Sequence, residues 1–173
     1  MTKNLNHAHG GDLDAIQRNY GIPKEEIIDF SGNINPLGFP EAATEALKDN
    51  LHLICTYPDK KYKALKKAIG AYTGADAAHI VCGNGSTELI ATFIQTINAE
   101  KSVIMGPAYS EYEREITLNG GKFEYFPLRE EEDFRLNLPA LLEALTPDVG
   151  MFIACNPNNP TGTAIHVQDM RTI

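Results

Sequence analysis

Val149-Gly150-Met151-Phe152-Ile153-Ala154-Cys155-Asn156-Pro157-Asn158-Asn159-Pro160-Thr161-Gly162 joins an apolar run to a segment that can continue no regular element. Residues 149–155 show no polar alternation, so they read as a strand covered on both faces. Two prolines and three asparagines then end it. The same pattern recurs upstream. Residues 122–126, 102–105 and 79–82 read as strands. Residues 138–145, 110–118 and 87–97 read as helices between them, the last largely apolar and expected to be well buried. This β-α-β-α-β order predicts an α/β fold with a mainly parallel sheet and helices on its faces. In such a sheet, ligands bind at the carboxyl ends of the strands.

Upstream of residue 79 the sequence changes character. Helices are expected at 12–20, at 41–51 and at 62–72, the last with Leu65, Ala68, Ile69 and Tyr72 on one face. Gly10-Gly11, the run from Ser31 to Gly38, and Thr56-Tyr57-Pro58-Asp59 are loop chemistry. The 173 residues carry a formal net charge of -8, which argues against a nucleic-acid partner. Hydrophobic residues at 43% and charged residues at 22% suit a soluble globular chain. The three cysteines, Cys55, Cys82 and Cys155, form no metal-binding or disulfide spacing and sit beside apolar runs, so they are expected as buried thiols. His7 and His9, two residues apart, make a poor metal site. No apolar run approaches membrane-spanning length and the N-terminus has no apolar leader, so the expected location is the cytoplasm. Glu130-Glu131-Glu132-Asp133 reads as a solvated loop.

Three strand ends carry unusual loops. Gly83-Asn84-Gly85-Ser86-Thr87-Glu88 leads into a helix, where glycines allow close approach and free amides favour an anion. It is neither a Walker loop nor a dinucleotide fingerprint. A tight turn capped by Ser86 is the plain alternative. In Gly106-Pro107-Ala108-Tyr109, Tyr109 can lie against a flat ring or pack beneath the next helix. In 156–162, asparagine amides can donate to an oxygen on a bound ring.

Asn-Pro-Asn-Asn-Pro-Thr-Gly, preceded in order by Gly-Asn-Gly-Ser-Thr-Glu and Pro-Ala-Tyr, resembles the landmarks of pyridoxal-phosphate (PLP) enzymes of the aspartate-aminotransferase fold. His9-Gly10-Gly11, the run from Asp29 to Gly38 and Tyr57-Pro58-Asp59 are similar to those of the threonine-phosphate decarboxylases of cobalamin biosynthesis, with histidinol-phosphate aminotransferases as near relatives. The resemblance implies a three-layer α/β sandwich, with residues 1–55 as an N-terminal arm and small-domain segment and 56–173 as the first part of the PLP-binding large domain. It implies that Gly85, Ser86 and Thr87 hold the cofactor phosphate, that Tyr109 stacks on the ring, and that Asn159 donates to the ring hydroxyl. It implies that Tyr57 reaches a partner subunit's cofactor in a homodimer. It puts His9, Gly32 and Asn33 near a small phosphorylated amino acid substrate, and cis peptides at Gly106-Pro107 and Asn159-Pro160.

PLP chemistry also needs a Schiff-base lysine and an acidic partner for the ring nitrogen. In the resembled family both follow the Asn-Pro-Thr-Gly loop, so the lysine is expected beyond Ile173, and no catalytic residue is expected within these residues. Lys60, Lys61, Lys63, Lys66 and Lys67 read as solvated charges. The expected parent is a decarboxylating lyase, with aminotransfer as the alternative. A different class, a catalytically inactive binding domain, stays open.

Overall fold

The computed structural model describes residues 11–30, 32 and 34–173, in two compact units, Met1–Lys61 and Tyr62–Ile173. In the first unit, α1 (Leu13–Tyr20) starts where Asp12 accepts the Ala15 amide at 2.8 Å and stops at Gly21, whose φ of 70° closes the last turn. α2 (Glu41–Asp49) follows Pro40, and a 3-10 turn spans Leu51–Cys55. None of the described residues in 11–61 is buried.

The second unit holds the sheet. Its elements are α3 (Lys63–Thr73), α4 (Gly85–Ile97), β1 (Lys101–Gly106), α5 (Glu111–Leu118), β2 (Lys122–Pro127), α6 (Leu138–Ala144), β3 (Met151–Ile153) and α7 (Val167–Thr172). The strand order is β2-β1-β3, all parallel, with Ile104 opposite both Tyr125 and Ile153. β1 is therefore the middle strand, and its side chains alternate between two cores. Val103 and Met105 pack with Phe126, Leu128, Leu141 and Ile165. Ile104 packs with Ile94, Ile116 and Met151. Each fully buried side chain of this size contributes about 1.5–3 kcal/mol. These two cores make the expected α/β architecture.

Several details depart from the sequence reading. Residues 79–82 form no strand. Ile80 is extended, but the segment pairs with no strand among the described residues, and a strand exists only through its ladder. α4 is less covered than its composition suggests: only Ile94 is buried, while Phe93 is 56% and Ile97 50% exposed. β3 is three residues long and stops at Ile153, and just beyond it side chains engage backbone groups outside the ladder. The Cys155 thiol donates to the Pro157 carbonyl, and Asn156 Oδ1 accepts the Ile165 amide at 3.0 Å. Cys55 is exposed and Cys82 and Cys155 half-buried, so none is a fully buried thiol. Glu130–Glu132 forms an exposed 3-10 turn. No helix among the described residues is long and apolar enough to cross a membrane.

Candidate functional site

Helix length fixes where the glycine loop lies. α4 has 13 residues and β1 has six, so each spans roughly 20 Å. The short turn through Asn98, whose φ is 49°, reverses the chain between them. Ile90 and Ile94 of α4, and Ala108 just after β1, belong to the same core cluster. The start of α4 therefore lies toward the carboxyl end of β1, where a sheet ligand belongs.

The loop is built to leave amides open. Gly85 adopts φ 82°, which a side chain would strain. A Cβ on Gly83 would meet Leu89 Cδ2 at 2.8 Å, so the chain folds tightly onto its own helix. Glu88 turns its carboxylate back to accept the Asn84 amide, and the Asn84 side chain caps nothing. Among the described residues, the amides of Gly85, Ser86 and Thr87 donate to no protein acceptor, and the hydroxyls of Ser86 and Thr87 make no bond. Three open amides and two hydroxyls thus lie at the positive end of a 13-residue helix, an arrangement whose charge suits an anion. Ser86 is exposed and does not serve as a side-chain cap.

The second and third loops are tied together. Gly106-Pro107, Asn156-Pro157 and Asn159-Pro160 are cis, two of them as expected and the middle one in addition. Asn158 is 3% exposed, and its Nδ2 donates to the Pro107 carbonyl at 3.0 Å and to Thr161 Oγ1 at 2.9 Å. The Asn158 amide donates to the Thr163 carbonyl at 2.8 Å, and the Gly162 amide returns to the Asn158 carbonyl at 2.7 Å. Asn159 follows in the turn, half-buried, and its side chain has no partner among the described residues. Tyr109 is half-buried, and its ring meets that of Tyr112 edge-on, with centroids 5.9 Å apart. Burial, then a bond with the Cys155 thiol, pushes the Tyr112 phenol up to about 12.

The other expected residues lie in the first unit. Tyr57 is 96% exposed and Gly32 is half-buried. His9 and Asn33 lie outside the described residues. Two contributors escaped the sequence reading. Asn158 stands in a run of asparagines, and residue type alone does not distinguish it from Asn159. Tyr112 is three residues from Tyr109, and its amide donates to the Tyr109 carbonyl at 3.2 Å in the turn that leads into α5. A groove of about 820 Å³ lies at the opposite, amino ends of the strands, lined by Glu100, Lys101, Lys122, Glu124 and Asp148. Its Lys101 is already paired with Asp148 at 3.0 Å.

This chain is similar to known proteins over most of its length. A threonine-phosphate decarboxylase of Salmonella typhimurium is 40% identical over 158 residues, which cover 91% of this chain and 43% of that protein. A histidinol-phosphate aminotransferase of Methanococcoides burtonii is 37% identical over 167 residues, 95% of this chain and 46% of its own length. This chain thus spans less than half the length of either relative. The crystal structure of the histidinol-phosphate aminotransferase from Clostridium acetobutylicum superposes with a TM-score of 0.75 at 31% identity, covering 84% of this chain and 42% of that one. The family model described as aminotransferase class I and II matches residues 25–173. With that match taking in α2, the whole of the second unit and all three strand-end loops, the chain belongs to the aminotransferase class I and II family.

Proposed function

We propose that this chain is part of a PLP-dependent enzyme that decarboxylates a small phosphorylated amino acid of the threonine-phosphate type. The observation that carries the reading is the set of unpartnered amides at Gly85, Ser86 and Thr87. The residues present fit the cofactor. The amides and the hydroxyls of Ser86 and Thr87 suit a phosphate dianion, Tyr109 offers an aromatic ring, and the open amide of Asn159 offers a donor to a ring oxygen. When bound, PLP supplies an electron sink for charge developing at the substrate's α carbon.

This chain's own residues bind and orient. The start of α4 neutralises phosphate charge with fixed dipoles, and Glu88 keeps the loop folded by holding the Asn84 amide. Tyr109 and Asn159 limit how the ring can tilt. His9, Gly32 and Asn33 are proposed on the substrate side. Tyr57 is proposed to serve the partner's cofactor in a cytoplasmic homodimer, and its 96% exposure leaves it open to do so. The covalent lysine is proposed to lie outside these 173 residues.

The 40% identity to a threonine-phosphate decarboxylase favours loss of carbon dioxide. The 37% identity to a histidinol-phosphate aminotransferase supports aminotransfer as the second reading. A product assay on the longest reading frame that carries this chain separates them. With PLP and threonine phosphate, aminopropanol phosphate and carbon dioxide are expected. A keto product from histidinol phosphate and a keto acid, with no carbon dioxide released from threonine phosphate, would replace the first reading by the second.

A further inference from the structure

We propose that Asn158 is a positioning residue that locks the loops carrying Tyr109 and Asn159 to each other, so that both ring-side contacts move as one. The proposal rests on the PLP reading above and goes beyond it, because it concerns a residue that touches neither ring nor phosphate. Asn158 is buried at 3% exposure and bridges to a carbonyl 51 residues away, that of Pro107. Pro107 lies two residues before Tyr109, and Asn158 is bonded directly to Asn159.

The polarity of the network fixes which way the amide points. Thr163 Oγ1 donates to the Phe134 carbonyl at 3.1 Å, so it must accept from Thr161 Oγ1 at 2.7 Å. Thr161 Oγ1 has then given up its proton and must accept from Asn158 Nδ2 at 2.9 Å. The Pro107 carbonyl can only accept as well. Both Nδ2 protons are therefore committed, and Asn158 Oδ1 is left buried without a donor. Turning the amide over would set oxygen against oxygen at two places. A buried polar atom without a partner is rare and needs a reason. Here the reason is that Nδ2 has to face the Pro107 loop. Asn156, in the same loop, accepts the Ile165 amide at 3.0 Å and, among the described residues, makes no such bridge.

The test compares N158D, which keeps the shape but loses both donors, with N158A and N156A in the full chain. Dissociation constants are measured for PLP and for inorganic phosphate, and amide hydrogen exchange is followed in 106–112 and 156–163 without ligand. N158D and N158A are expected to weaken PLP roughly tenfold, because the two ring-side contacts are no longer held together, while phosphate binding stays within about twofold. Both segments should exchange faster in these variants, whereas N156A should loosen 156–163 alone. Faster exchange confined to 156–163 in N158D, or unchanged PLP affinity, overturns the proposal. Failure of the unaltered chain to bind PLP or phosphate removes the cofactor reading instead, and the exchange of 106–112 still decides whether Asn158 couples the loops.

Discussion

Tyr125 is held from two sides. Its hydroxyl donates to Glu113 Oε2 at 2.8 Å, and its ring fills the space that any side chain on Gly106 would need. Burial, then the Glu113 carboxylate, pushes this phenol up to about 12, and Tyr112 is pushed equally far by burial and the Cys155 thiol. A raised folded-state value means the protonated phenol is favoured in the fold. The stabilisation is complete below the ordinary value of 10.0 and is lost as pH rises from there toward 12. An alkaline titration followed by ultraviolet absorbance should therefore show Tyr112 and Tyr125 ionising late. Y125F keeps the ring against Gly106 and should remove one late tyrosine and soften the loss of stability between pH 10 and 12. Two late tyrosines persisting in Y125F would contradict this account.

Among the elements, α6 is small but central to one core. Asn137 starts it by accepting the Ala140 amide at 3.3 Å, and Leu141 is wholly buried against Val103, Met105, Phe126, Leu128 and Ile165. Removing that side chain leaves a cavity that neighbours on a paired strand cannot collapse to fill. L141A should cost about 2–5 kcal/mol, read as a lower denaturant midpoint with unchanged slope. L142A, at a position 43% exposed, should cost less than about 1 kcal/mol. A cost for L142A equal to that of L141A would mean that α6 faces the core differently. Helices and central strands of this kind were legible because periodicity records which side is covered. Residues 79–82 form no strand because apolar composition cannot supply a pairing partner, and α4 is less covered than its composition suggests because composition does not say what packs against a helix. α7 passed unnoticed because six mostly polar residues carry no stripe. At the candidate site, the glycine and hydroxyl pattern of residues 83–87 made the tight turn and its open amides legible. Asn158 stayed hidden because adjacent asparagines look alike until the fold turns one inward.

At the scale of the whole molecule, burial is distributed very unevenly. Both core clusters and the entire sheet lie in residues 62–173. Residues 11–61 offer instead a set of exposed apolar side chains, with Phe30 93%, Leu37 91% and Ile54 81% open. Their two α-helices have eight and nine residues, below the roughly 12–15 at which an isolated helix becomes even marginal in water. Ordering each residue costs about 1–2 kcal/mol of backbone entropy, and a segment with no buried residue has little to offset it. A fragment of residues 62–173 should therefore keep a cooperative denaturant transition, because a three-stranded parallel sheet with both faces packed meets the requirement for independent stability. A fragment of residues 1–61 should give a coil-like circular dichroism spectrum and no cooperative transition. A sharp unfolding transition from 1–61 alone, or its loss from 62–173, would show that the order of the fold is not set where its apolar side chains are buried.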